Sequence, residues 1–306
     1  MQLIKPPVLK PGDTIMIIST ARKVSLTELQ FTINKLTEWG LKVRLGKNLF
    51  EAENQYAGSD EHRAEDLQTA LNDKEVNAVL FARGGYGTVR IIDKIDFTSF
   101  QAHPKWLIGY SDITVLHAHV QQNFGIATMH APMAFNYDKL DESILEKIKA
   151  ELFTGTQFFQ IPASNENRNG KVKGILTGGN LSILYSLLAS KSDCNTAGKI
   201  LFLEDLDEYL YHIDRMMLAL KRSGKLHNLA GLVIGGMSDM KDNTIPFGKT
   251  AIEIIQDAVK EYNYPVCFDF PAGHIPNNQP LIFCDFVELD CAYQVILKSV
   301  AEHGNA

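Results

Sequence analysis

The sequence predicts an α/β protein, with an N-terminal, mostly parallel open sheet carrying helices on both faces and a second α/β domain after it. Three observations carry this. Through the first half, short apolar runs alternate with helix-like patterns, as when crossover helices lay strands side by side. At 153–170 the alternation breaks into a polar stretch that includes Ser164-Asn165-Glu166-Asn167-Arg168-Asn169-Gly170, which reads as a linker. Near the end, short strand-like runs follow one another through tight turns, the pattern of an antiparallel meander. The chain has 306 residues, 45% of them hydrophobic, and domains run ~100–200 residues, so two cores are expected. The boundaries fall at 1–152 for the N-terminal domain, 153–170 for the linker and 171–306 for the C-terminal domain.

Each element has a local reason. Thr14–Ser19 is a buried strand run. Ser25 then opens a helix, with Glu28 as its capping-box partner and Gly40 as its stop. Leu41–Leu45 is the next strand, and a helix covers about 59–72. Val76–Ala82 is continuously apolar, as for a strand covered on both faces. A short helix, the strand Trp106–Tyr110 and a helix reaching Gln122 follow, then the strand Ile126–His130 and the helix Asp141–Leu152. Beyond the linker, Val172–Thr177, Ile200–Glu204, Ala230–Gly235 and Val266–Asp269 read as strands. Helices fall at about 180–189, 210–223 and 249–261, and Leu281–Cys284, Phe286–Asp290 and Tyr293–Leu297 form the expected meander.

Composition excludes several classes. Thirty basic against 36 acidic residues give a formal charge of −6, so bulk attraction to nucleic acid is not expected. No apolar run approaches the ~18 residues of a membrane span, so no membrane partner is expected. Pro6, Pro7, Pro11 and Asp13 interrupt the N-terminus, which does not read as a secretory leader. Cys194, Cys267, Cys284 and Cys291 show no Cys-x-x-Cys spacing and read as reduced core thiols of a cytoplasmic protein, not as a metal site.

Ligands of open α/β sheets bind beyond the carboxyl ends of the strands. Three reactive residues are expected there: Ser111, Glu204 and His274. Ser111 stands at a sharp strand-to-helix turn, which exposes a hydroxyl and points the next backbone N–H at the same space. The helix after it would favour a developing oxyanion. Gly109-Tyr110-Ser111-Asp112-Ile113 lacks the closing glycine of an elbow motif, and a helix cap is the commoner role for Ser111 or Asp112 at such a turn. Arg83-Gly84-Gly85-Tyr86-Gly87 lacks the Lys-Ser/Thr of a phosphate loop, but its glycines allow close backbone approach to a ligand, or simply a tight turn. Glu204 ends an apolar strand, and its burial would require a histidine or a cation beside it. The rest of the acidic run 204–208 fits a solvated loop. His130, after another strand, competes with His274 for the role of base. Asn180, after Gly178-Gly179, fits a helix cap or a wall of the site.

The set F-A-R-G-G-Y-G (81–87), I-G-Y-S-D (108–112), T-G-G-N-L (177–181), L-E-D (203–205) and A-G-H (272–274) resembles the serine LD-carboxypeptidase, or muramoyltetrapeptide carboxypeptidase, family. The resemblance implies a parallel-sheet N-terminal domain and a C-terminal α/β domain with a small barrel-like sheet, with the site between them. It implies Ser111 as nucleophile, His274 as general base and acid, and Glu204 as the group orienting the imidazole. The oxyanion hole would come from the backbone N–H of Asp112 and one from the Gly84-Gly85 turn. The implied activity is release of terminal D-Ala from murein tetrapeptides during cell-wall recycling, without a metal or other cofactor and as a homodimer. Arg83, with Gly84 and Asn180, is the candidate substrate contact, since an anionic substrate meeting a net-negative protein needs a local cation; packing against the sheet edge or a surface ion pair is the equally open role for Arg83. Two stretches depart from the family pattern. Ser19-Thr20-Ala21-Arg22 replaces an Ala-Pro-Ser-like turn, and Ala131 replaces the glycine after His130.

Two rival readings remain. Microcin-immunity-type relatives of this family cut an amide in peptidyl- or aminoacyl-adenylate analogues and need an aromatic platform; Trp39 and Trp106, expected on a helix and in a strand, are not obvious platforms, while tyrosines could substitute. A non-catalytic binder of a small anion would use the same glycine turns.

Overall fold

The computed structural model describes residues 2–301, so the first residue and the last five of the expected domain boundaries lie outside it. The N-terminal half runs β1 (Thr14–Ile18), α1 (Leu26–Glu38), β2 (Lys42–Leu45), α2 (Asp60–Asn72), β3 (Val76–Phe81), α3 (Thr88–Ile91), α4 (Thr98–Ala102), β4 (Trp106–Gly109), α5 (Thr114–Phe124), β5 (Thr128–His130) and α6 (Glu142–Thr154). The capping box is formed: the Ser25 hydroxyl accepts from the Glu28 backbone N–H, and Glu28 accepts from Ser25 in return. Two strand parities serve two faces of the sheet. Ile15, Ile17, Ala78, Leu80 and Ile108 pack against Leu29 and Leu36 of α1 and Ile144 and Ile148 of α6. Met16, Ile18, Val79, Phe81 and Leu107 pack against Leu67 and Leu71 of α2 and Leu116 and Val120 of α5. This two-sided cover is why these strands read as unbroken apolar runs.

The second half runs β6 (Phe158–Pro162), β7 (Lys171–Asn180), α7 (Leu181–Ser186), β8 (Ile200–Leu206), α8 (Leu210–Arg222), β9 (Gly231–Ser238), α9 (Ala251–Val259), β10 (Val266–Cys267), β11 (Leu281–Phe283), β12 (Phe286–Cys291) and β13 (Gln294–Ser299). One sheet has the order β11-β5-β4-β3-β1-β2 and the other β10-β9-β8-β7-β12-β13-β6. The stretch expected as a linker therefore contains a strand, β6, antiparallel to β13. Beyond it, Arg168 exchanges two backbone hydrogen bonds with Val266, joining the segment after β6 to the opposite edge strand. Among the described residues, no helix is long and apolar enough to cross a membrane.

The expected terminal meander is corrected. Only β12 and β13 pair with each other, while β11 crosses to the first sheet and pairs antiparallel with β5. Cys284 takes a left-handed φ of 61° directly after β11 and turns the chain back into the second sheet. The apolar core is continuous as well: the cluster on the α5 face extends to Leu201, Leu203, Met216, Leu232 and Ile255 in the second half. The two sheets thus share a strand exchange and a core, which sets the carboxyl ends of β4 and β8 toward one cleft.

Candidate active site

Ser111 follows β4 and opens a short 3₁₀ turn leading into α5. Its φ is 61°, a left-handed conformation that a residue with a Cβ adopts only when its surroundings impose it. The strained turn pushes the hydroxyl into a cleft of about 510 Å³ lined also by Arg22, Arg83, Gly84, Gly85, Tyr110 and His274. Among the described residues, the Ser111 Oγ carries no hydrogen bond. The glycine turn lies against it: a Cβ placed on Gly84 would sit 3.3 Å from the Ser111 Cβ.

Asp112 does more than present its N–H. Its carboxylate is buried and accepts from the backbone N–H of Thr88 at 2.9 Å, tying the end of the glycine turn to the serine turn. Burial pushes this carboxyl up, against the hydrogen bonds of Thr88 and Gly87 that stabilise its charge.

The opposite wall is a pair. Glu204 is fully buried at the end of β8, and its Oε2 accepts from His274 Nδ1 at 2.7 Å and from the His274 backbone N–H at 3.1 Å. The backbone contact requires Gly273, whose φ is 104° and where an added Cβ would stand 2.7 Å from the Glu204 side chain. Ser238 Oγ donates to the His274 carbonyl at 2.6 Å, fixing the loop from the other side. With Nδ1 engaged, the Nε2 edge is left for the cleft. Desolvation disfavours the charged ring, but the charge and hydrogen bond of Glu204, with Asp205 behind it, hold the His274 pKa above its ordinary value. The rings of Tyr110 and His274 pack with centroids 4.7 Å apart, so the residue before the serine touches the imidazole.

Asn180 caps α7, accepting from the Ile183 N–H at 3.1 Å, while its Nδ2 donates to Asp205 at 2.9 Å. Asp205 also accepts from the Ser182 N–H, and burial together with neighbouring Glu204 pushes its carboxyl up to about 6. Arg83 reaches the cleft with its guanidinium over the Phe135 ring at 4.7 Å and Glu28 at 3.5 Å. His130 does not line the cleft. It is completely buried between Tyr110, Phe202 and Phe283, because β5 is flanked by both β4 and β11. Burial drives its pKa well below the ordinary range.

Sequence reasoning missed Arg22, Tyr110, the Asp112 carboxylate and Asp205. The rule that ligands gather at strand ends could have found Arg22, since it follows β1, and Tyr110, since it follows β4. Nothing local marks the Asp112 and Asp205 carboxylates as buried.

A serine held in a strained strand-to-helix turn, facing an imidazole–carboxylate pair across a cleft, defines a hydrolase-type α/β site. Residues 15–131 match the LD-carboxypeptidase N-terminal domain (peptidase S66) and residues 173–289 the LD-carboxypeptidase C-terminal domain. A probable murein peptide carboxypeptidase of Bacillus subtilis strain 168 is 38% identical over 279 residues, covering 88% of this chain and 86% of the relative. The crystal structure of muramoyltetrapeptide carboxypeptidase from Oxalobacter formigenes superposes with a TM-score of 0.86 at 26% identity, covering 94% of this chain and 99% of the other. The microcin C7 self-immunity protein MccF, in complex with aspartyl sulfamoyl adenosine, shares the fold, with a TM-score of 0.85 at 19% identity over 98% of this chain and 99% of the other. The chain belongs to the LD-carboxypeptidase family, peptidase S66, a family of serine peptidases.

Proposed function

We propose that this protein is a serine LD-carboxypeptidase that releases terminal D-Ala from murein tetrapeptides, with Ser111, His274 and Glu204 as its catalytic triad. The observation that carries the reading is the shared cleft, with Ser111 on one wall and the His274–Glu204 pair on the other. In this reading, the lobe 1–152 supplies the nucleophile and the lobe 171–306 the base. Ser111 Oγ attacks the carbonyl carbon of the scissile bond while His274 Nε2 takes its proton. The N–H groups of Asp112 and Gly85 receive the oxyanion. His274 returns the proton to the departing amine of D-Ala, and water repeats the sequence to free the acyl-enzyme. Glu204 holds the ring in the Nδ1–H tautomer and stabilises its charge. Recycled murein peptides would place the enzyme in the cytoplasm.

The test is incubation with a murein tetrapeptide and measurement of free D-Ala, with Ser111→Ala as control. D-Ala release by the native protein alone supports the reading; equal or absent release from both overturns it. The fold shared with MccF supports a second reading, an amidase acting on aminoacyl-adenylate analogues. Phe135 and Tyr110 line the cleft, while Trp39 and Trp106 are buried elsewhere. Faster hydrolysis of such an analogue than of the tetrapeptide would select it.

A further inference from the structure

We propose that Arg22 is the receptor for the substrate's terminal carboxylate and thereby confines the site to chain ends; this rests on the LD-carboxypeptidase reading above. Arg22 follows β1 and lines the same cleft as Ser111 and His274. Its stem lies across the glycine turn: a Cβ placed on Gly85 would meet its Nε at 2.6 Å and its Cδ at 2.7 Å. Gly84, the preceding residue, abuts the Ser111 Cβ in the same way, at 3.3 Å. Gly84 and Gly85 are consecutive, with Cα atoms ~3.8 Å apart, so Ser111 and the Arg22 stem lie against neighbouring residues of one turn.

That spacing matches the leaving group. Once the scissile carbonyl is at Ser111, the terminal carboxylate of a single departing residue lies one residue further on. A planar guanidinium there can grip it with two parallel hydrogen bonds.

Charge partners single out Arg22 from its neighbour. Arg83 already faces Glu28 at 3.5 Å and stacks on Phe135. Among the described residues, no carboxylate stands within ion-pair distance of Arg22, and its side chain is exposed to the cleft. The opposite wall carries Asp205, Asp207 and Glu208; Asp207 is paired with Lys241 and Glu208 with His212, which leaves Asp205 as the group there that disfavours an added carboxylate. An anionic chain end is therefore favoured on the side of the glycine turn, where Arg22 has no ion-pair partner among the described residues. Gly85, whose N–H would polarise the scissile carbonyl, is the residue that the Arg22 arm lies across.

The experiment compares a tetrapeptide ending in free D-Ala with the same peptide ending in D-alaninamide. The proteins are the native enzyme, Arg22→Gln, Arg22→Lys and Arg83→Gln. The native enzyme should prefer the acid by about 10- to 100-fold in kcat/KM. Arg22→Gln should abolish that preference through loss on the acid, with the amide rate held. Arg22→Lys should restore part of it, and Arg83→Gln should keep it. Preference retained by Arg22→Gln, or abolished by Arg83→Gln alone, overturns the assignment. Calorimetric binding of both peptides to Ser111→Ala, with and without Arg22→Gln, reads the same preference without turnover. Native protein that cleaves neither peptide would sink the peptidase reading. The Arg22 assignment would still stand or fall on whether the acid binds more tightly in an Arg22-dependent manner.

Discussion

The two walls of the cleft are built by opposite means. The N-terminal wall works through backbone geometry: Ser111 at a φ of 61° and Gly85 at 111° turn N–H groups and a hydroxyl into the space, with two arginines above them. The C-terminal wall works through buried charge: Glu204 and Asp205 lie at the end of one strand, and an imidazole is drawn onto the first of them. The hydroxyl and N–H groups of the first wall do not titrate in the working range, and its one buried carboxylate, Asp112, braces the two turns from behind. The second depends on protonation and on partners remote in sequence. Stripping either wall should therefore give failures of different kinds.

The largest effect belongs to the front wall. Ser111→Ala should lower kcat by about 10⁴- to 10⁶-fold while leaving tetrapeptide affinity nearly intact, measured by D-Ala release and calorimetry. Unchanged kcat would break the comparison at once.

On the rear wall, Glu204→Gln should cost about 10³- to 10⁴-fold in kcat, because the ring loses both its tautomer control and its charge partner. Its pH profile is the sharper test. A base must be neutral, and the His274 pKa is raised above 6.5, so native activity should rise with pH across a midpoint above that value. Removing the Glu204 charge leaves the desolvation behind, so the midpoint should move to lower pH in Glu204→Gln. A midpoint that stays put would remove Glu204 from its role.

Gly273→Ala probes the joint between loop and acid. A side chain there meets Glu204 and takes a φ of 104°. It should cost about 1–3 kcal/mol in denaturant unfolding and reduce kcat more than KM. The smallest effect is expected far from both walls. Ser25→Ala removes the cap of α1, costing about 1 kcal/mol of stability with kcat/KM unchanged.

Much of this architecture was legible locally. The strand runs of the first half declare themselves because both faces are covered, so every residue is apolar. The helix from Ser25 declares itself by its capping box. The ends of β4 and β8 and the loop after β10 pointed to Ser111, Glu204 and His274, the side chains that now line or support one cleft. Other features were hidden. The strand β11 looks like the first leg of a meander, and no local pattern tells which sheet a short apolar strand will join. The segment 158–162, Phe-Phe-Gln-Ile-Pro, is brief, ends in proline and runs into a polar stretch, so it does not announce itself as a strand; only one of its residues is buried.

The order of motifs and the identity of the reactive groups are properties of the chain alone, because each is read from residues within a few positions of one another. Which histidine faces the cleft and which is entombed was decided only in three dimensions. His130 and His274 both follow apolar runs, but the crossing of β11 covers the first, while Gly273 lets the second close onto Glu204. The same holds for Arg22: its loop stands out in sequence only as a departure from the family pattern, and folding lays its arm across Gly85 in the cleft that Ser111 lines, because parallel strands deliver their following loops to the same edge of the sheet.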